Sequence, residues 1–396
     1  MTRRVVITGL GAVTSLARGR EATWAGMLAG RDGLGPLTRI SLPMEPAQLG
    51  AQIAWATPLP KRQSLCGAWS LVALAEALDG WKPSLDPRRM GVFQGAGTSG
   101  LPIPEAHLAA QLQGRPRTPL AEAAYQTPCT VTDGLGELLG AEGPRSTIMN
   151  ACSSSLLALG QAWERVAAGE LDLAIAGGAE SLCATTWGGF SSLKAVDREP
   201  CRPFSADRAG LNLGEAAVQF ILEPLEQARA RGAVIFAEVL GYGASLDAHH
   251  PTAPHPEGAG ACRAMAQALT MGRLDASEVD LVSAHGTATP ANDGAECKAI
   301  RAALGAAADA VSVTSSKSQF GHTLGAAGAA GSMAAALALR DQVVSPTLRL
   351  EQQDPVCDLD CTAKAAKERP LRAALVNAFA FGGNNVSLAL KRWDGR

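Results

Sequence analysis

A chain of 396 residues with 47% hydrophobic and 18% charged side chains is long enough to bury a large core and too apolar for a disordered or low-complexity protein. Its formal net charge of −2 gives no footing for nucleic acid, whose binding proteins concentrate positive charge. Nine cysteines without framework spacing in so long a chain exclude the small disulfide-stapled class and predict a reducing, cytoplasmic setting.

The first element imitates an export signal, because Arg3-Arg4 precedes an apolar run from Val5 to Val13. Gly9 and Gly11 break that run, which reads better as a buried strand and its turn. Further strand-like runs lie at residues 90–94, 171–176, 218–222, 234–240, 281–284, 310–314 and 371–379, and helical apolar spacing at 65–78, 156–168 and 260–271. Their alternation predicts an α/β protein with largely buried strands. The Ala- and Gly-rich stretch 324–339 falls short of the ~20 apolar residues of a membrane span. It predicts instead a helix of small residues packed closely against another helix or a sheet. Aromatics are few, with Phe 8, Trp 7 and Tyr 2, so the core is expected to be built from Ala, Leu and Val. The charged connector Glu223 to Gly232 divides the chain near Ile235 into an N-terminal half, residues 1–234, and a C-terminal half, residues 235–396.

Three short stretches carry the chemistry: Ala151-Cys152-Ser153-Ser154-Ser155, Ala284-His285-Gly286-Thr287-Ala288-Thr289-Pro290 and Lys317-Ser318-Gln319-Phe320-Gly321-His322. Cys152 falls between a strand-like run and the helical pattern beginning at Leu156. There the helix dipole and free N–H groups favour thiolate, and an acyl group could load without a dedicated base. His285 ends a strand-like run, with Gly286 allowing a sharp turn that aims the ring into a cavity and Thr287 and Thr289 offering hydroxyls beyond it. His322 opens the Ala- and Gly-rich helix. A neutral imidazole donates one hydrogen bond, and two aimed at one carbonyl suit decarboxylation, where an enolate must be held while carbon dioxide leaves. Any one of these residues alone is more often packed or solvated than catalytic; the joint occurrence at strand ends carries the inference. Cys357 and Cys361 lack a second ligand pair, and no metal site is predicted.

With these residues in view, the chain resembles the elongating beta-ketoacyl-acyl-carrier-protein synthases of the thiolase superfamily, from Val5-Val6-Ile7-Thr8-Gly9-Leu10-Gly11 to Phe379-Ala380-Phe381-Gly382-Gly383-Asn384-Asn385. The family pattern of a nucleophilic cysteine in Ala-Cys-Ser-Ser-Ser, a histidine in His-Gly-Thr-x-Thr-Pro and a lysine five residues before a second histidine is matched at Cys152, His285 and Lys317 with His322. The resemblance implies a thiolase-like α/β fold of two similar halves stacked as five layers. It implies condensation of an acyl group on Cys152 with a malonyl-acyl-carrier protein, without a resident cofactor, the substrates riding on the carrier's phosphopantetheine. It further implies an oxyanion hole and acyl gate at Phe381 and Gly382, an arm-binding pair at Thr287 and Thr289, an acyl-pocket position at Thr98, and a homodimer. Ala380 replaces the glycine usual before the gate phenylalanine and would resist a positive φ there. Gly331, where many fatty-acid enzymes of the family carry glutamate, and Asn384-Asn385 point toward a specialised polyketide or polyene pathway. The rivals are the catalytic subunit of a ketosynthase/chain-length-factor heterodimer, a non-catalytic chain-length factor, a coenzyme-A-dependent thiolase-like enzyme, and a cysteine hydrolase. The presence of the full Cys-His-His set counts against the second, the lack of a C-terminal Cys-x-Gly base against the third, and the unexplained second histidine against the last.

Overall fold

The structure, a computed structural model, describes residues 2–40, 48–55, 63–115 and 124–395. Ten strands make its central sheet: β1 (Val5–Thr14), β2 (Met90–Gly95), β3 (Arg145–Ile148), β4 (Leu173–Glu180), β5 (Ala216–Pro224), β6 (Ala237–Leu246), β7 (Val279–Ser283), β8 (Ser312–Thr314), β9 (Ala373–Ala380) and β10 (Asn384–Lys391). Their order across the sheet is β3-β2-β4-β5-β1-β6-β10-β9-β7-β8. Read outward from the middle, each flank repeats one pattern: a first strand, two antiparallel neighbours, then two parallel ones. The flanks meet where Val5, Val6 and Ile7 pair antiparallel with Val239, Glu238 and Ala237.

Six helices complete the repeat: α1 (Leu65–Leu78), α2 (Cys129–Leu139) and α3 (Ser154–Ala167) between strands of the first flank, α4 (Ala259–Gly272), α5 (Asn292–Leu304) and α6 (Ala327–Asp341) between those of the second. The helices α3 and α6 lie between the two flanks and touch strands of both, whereas α1 and α2 cover the far side of the first and α4 and α5 that of the second. Layered helix-sheet-helix-sheet-helix, this is the predicted thiolase-like architecture. Of the parallel strands, β2, β4, β7 and β8 are buried throughout and β9 up to its last residue, as two-sided cover requires, whereas the edge strand β3 buries only Ile148.

Small residues make the middle layer possible. Every residue from Ala327 to Leu339 is buried, and a Cβ added to Gly328 would stand 2.5 Å from that of Leu156. Ser155 Oγ accepts from the Ala329 N–H at 2.9 Å, fastening α6 to the first turn of α3. The large side chains of the core, among them Phe220, Phe320 and Leu159, fill the space around this contact. Among the described residues no helix is long and apolar enough to cross a membrane.

Candidate active site

Four strand ends converge at the middle layer, and the three predicted stretches leave from three of them. β3 ends at Ile148, and a single 3₁₀ turn, Ala151–Ser153, joins it to α3. Ala151 takes φ of +47°, a left-handed conformation that costs a non-glycine residue of order 1 kcal/mol or more. This sharp elbow presents Cys152 at the strand-to-helix turn, as its sequence setting predicts. His285 follows β7, with Gly286 at φ +38°. His322 does not open the long helix. It lies in an isolated parallel bridge to Leu213, two residues before the 3₁₀ turn Leu324–Ala326 that leads into α6.

One cavity of about 240 Å³ takes its lining from Cys152, His285, His322, Thr287, Thr289 and Phe381, together with Asp247 and Thr252 to Pro254. The imidazoles of His285 and His322 stand 5.3 Å apart, centre to centre, with planes at 87°. Leu324 N–H donates to Nδ1 of His322 at 3.2 Å. Lys317 Nζ faces Nδ1 of His285 at 3.5 Å and donates to the His285 carbonyl. An ammonium offers only donors, so both Nδ1 atoms act as acceptors and each neutral ring carries its proton on Nε2. Burial, then the charge of Lys317, holds both imidazoles well below their ordinary 6.5.

The cation has a counterpart. Lys317 is buried, which lowers its amine to about 8 against the upward pull of Glu296. Glu296 and Asp293 stand one turn apart on the inward face of α5. Glu296 accepts from the N–H groups of His285 and Gly286, each at 2.8 Å, and from Asn377 Nδ2 at 3.2 Å. Asp293 accepts from Phe204 N–H at 2.8 Å and Ala288 N–H at 3.1 Å. These carboxylates hold the turn that carries His285, Thr287 and Thr289. They escaped the sequence reading, although acidic residues three apart in a helix eight and eleven positions after a candidate histidine were a usable sign.

The thiol departs from expectation. Burial pushes Cys152 up to about 12, with Lys317 pulling down and Glu180 pushing further up. A helix start favours thiolate only when the sulfur keeps some contact with water, and Cys152 is 6% exposed. Two backbone N–H groups bear on the sulfur, its own and that of Phe381.

Gly382 does not share that task, because its N–H is spent on the Pro251 carbonyl at 2.7 Å. Phe381 stacks on Phe190, centroids 5.3 Å apart. Ala380 sits at φ −139°, ψ 156°, extended backbone that any residue adopts, so alanine carries no strain there. Asn384 and Asn385 tie the same loop down: Asn384 Nδ2 donates to the Phe381 carbonyl at 3.2 Å and Asn385 Nδ2 to Asp247 at 2.9 Å. Thr287 and Thr289 hydroxyls bond each other at 2.9 Å at the cavity wall. Thr98 stands outside this lining, its hydroxyl given to Glu180 at 2.8 Å. Cys357 and Cys361 are buried in the second flank's core, and among the described residues no group of His, Cys, Asp or Glu is arranged to hold a metal ion.

Comparison with known proteins agrees with this geometry. The family model described as "Beta-ketoacyl synthase, N-terminal domain" matches residues 2–228, and the corresponding C-terminal domain model matches residues 236–351. The chain is 36% identical to 3-oxoacyl-[acyl-carrier-protein] synthase 2 of Rhizobium meliloti (strain 1021), over 99% of this chain and 100% of that protein. It superposes on the ishigamide ketosynthase/chain length factor with a TM-score of 0.94 at 32% identity, over 99% of this chain and 100% of the other. It also superposes on a type II PKS ketosynthase solved with its acyl-carrier protein, with a TM-score of 0.90 at 29% identity and full coverage of both chains.

Proposed function

Because the chain belongs to the beta-ketoacyl synthase family, we propose that it joins an acyl group held on Cys152 to a malonyl unit carried by an acyl-carrier protein, releasing carbon dioxide and a beta-ketoacyl-acyl-carrier protein. The observation that carries this reading is the pair of neutral Nε2–H donors in one cavity with the Cys152 thiol.

The steps follow from the residues. Cys152 sulfur attacks the acyl thioester and its proton leaves with the released carrier thiol, so the buried site gains no net charge. The developing oxyanion is met by the N–H groups of Cys152 and Phe381. Malonyl thioester then enters, and the bond to its carboxylate breaks. The electron pair passes into an enolate whose oxygen accepts from His285 and His322. The enolate carbon attacks the Cys152 thioester, and the sulfur is expelled as a thiolate that takes one proton from water to restore the resting thiol. The same two N–H groups stabilise that second tetrahedral oxygen. A condensing enzyme that drew its second proton from a C-terminal cysteine would need no second imidazole, and a hydrolase would need neither His322 nor Lys317.

Nine unpaired cysteines and a nucleophile that must stay reduced suit a cytoplasmic setting, and we place the protein there without a resident cofactor. The carrier's phosphopantetheine would reach Cys152 past the hydroxyls of Thr287 and Thr289. The division into residues 1–234 and 235–396 fits the repeated strand order and the gap between the two family models. The pathway is fatty-acid synthesis or polyketide or polyene synthesis by discrete enzymes. Gly331 favours the latter: a Cβ there already comes within 3.2 Å of Ser283 Oγ, which leaves a longer side chain no room without repacking. A second reading, the catalytic partner in a heterodimer, is favoured by the superposition on the ishigamide ketosynthase/chain length factor.

Intact-mass measurement after incubation with acyl-carrier proteins bearing different acyl groups tests the reaction. One acyl mass should appear on the wild type and none on Cys152→Ala; loading on the variant, or on neither protein with any carrier, would overturn it. Light scattering of the purified chain distinguishes a homodimer near twice 40.7 kDa from a monomer that becomes active only with a related partner.

A further inference from the structure

Glu180 is the last residue of β4, fully buried, and its side chain reaches two other segments. One carboxylate oxygen accepts from the Thr98 N–H at 2.9 Å, the Thr98 hydroxyl at 2.8 Å and the Ser99 N–H at 2.7 Å. The other accepts from the Gly97 N–H at 2.7 Å and the Gly325 N–H at 3.2 Å. Burial raises this carboxyl above its ordinary range. Four of the five partners are nevertheless backbone N–H groups, which can only donate, and these favour the carboxylate form.

The two segments are those beside the reacting groups. Gly97 follows Ala96, whose carbonyl accepts from Ser154 Oγ at 3.2 Å, two residues beyond Cys152. Gly325 follows Leu324, whose N–H holds Nδ1 of His322. Their backbones touch: a Cβ on Gly325 would stand 2.4 Å from the Gly97 nitrogen, and one on Gly97 would stand 2.4 Å from Glu180 itself. Only bare backbone lets a single carboxylate span both.

We propose that Glu180 is a positioning residue for the condensation: its carboxylate pins the His322 turn to the strand-end turn that backs the nucleophile's helix. The residue touches no reacting atom. Its charge has a further effect, since a buried anion near Cys152 opposes thiolate while Lys317 favours it. Glu180 therefore keeps the His322 donor aimed, and its charge adds to the burial that holds the resting nucleophile as a thiol.

The proposal rests on the condensing reaction set out above, so its test includes a readout that needs no substrate. Glu180→Gln keeps the shape but sets an amide NH₂ against N–H donors and removes the charge. Two quantities are measured: kcat and KM for malonyl-acyl-carrier-protein decarboxylation, and the rate at which iodoacetamide modifies Cys152 at pH 8. The expected result is a kcat lowered about tenfold or more with KM within about twofold, together with alkylation about threefold faster or more as the thiolate fraction rises. Thr98→Val removes one donor and leaves the backbone and the carboxylate in place. It should lower kcat about two- to fivefold, and it decides the matter if Glu180→Gln does not fold. Unchanged kcat, a loss confined to KM, or lowered kcat in Glu180→Gln without faster alkylation would each overturn the proposal. A wild-type chain that alkylates normally but decarboxylates nothing would strike the condensing reaction itself.

Discussion

Lys317 Nζ faces Nδ1 of His285 at 3.5 Å and also donates to the backbone carbonyl of the same residue, so one ammonium fixes both the ring and the peptide that carries it. The arrangement serves only while the amine keeps its proton. Burial lowers that amine to about 8, and the charged form is lost as pH rises through this value. Decarboxylation should therefore decline above about pH 8. In Lys317→Arg the decline should move to higher pH, because a guanidinium stays charged there, even though the larger group lowers the maximum rate. A pH profile of kcat for both proteins checks this.

The imidazoles predict the opposite limb. Both are held well below 6.5, so they remain neutral donors as the medium is acidified through that value. Decarboxylation should show no acid decline centred at 6.5. An ordinary histidine titration in the same profile would mean that the rings act in protonated form or stand in contact with water.

Loss of either donor should separate the two half-reactions. His285→Ala and His322→Ala are each expected to lower malonyl decarboxylation by about 10²–10³, the typical effect of removing one preorganised donor. Acyl transfer to Cys152, which relies on the N–H groups of Cys152 and Phe381, should suffer less. Single-turnover acylation followed by mass spectrometry, beside a carbon dioxide assay, measures the two independently.

Alkylation of Cys152 by iodoacetamide should rise with pH through 9 and continue upward. A thiol pushed to about 12 has not finished titrating at the ordinary cysteine value of 9.0. A rate that levels off near neutrality, read by peptide mapping, would show that substrate-free Cys152 is already thiolate.

The middle layer has its own test. Gly328→Ala places a methyl 2.5 Å from the Leu156 Cβ, and overpacking of this kind costs about 1–3 kcal/mol. Thermal unfolding should fall by a few degrees, and activity should fall further because α3 carries the nucleophile at its start.

That Cys152, His285 and His322 share one cavity was legible in part, because each follows a strand-like run and lies beside glycine or serine, and strand ends deliver side chains to a shared edge. Much else was set by distant partners. Gly382 loses its N–H to Pro251, 131 residues earlier, and Thr98 gives its hydroxyl to Glu180, 82 residues later. A helix start foretold where the thiol would sit but not how dry the site would be, and dryness decides its charge. Strand limits slipped for a compositional reason: β4 runs on to Glu180 and β6 to Leu246 through Ala, Gly and Ser, which have little apolar signal of their own. The repeat followed only from the family resemblance and not from the residues themselves, because it resides in strand order, which unlike side chains can share.

Matched strand ends in the two flanks bear different residues: β3 leads to Cys152 and its counterpart β8 to Lys317 and His322, while β7 leads to His285 and its counterpart β2 to the glycine turn around Glu180. The molecule is thus a duplicated body with divided labour: in the proposed reaction one copy would hold the acyl group and the other would activate its partner. Neither flank alone carries Cys152, His285 and His322 together, so the site exists only where the two copies meet.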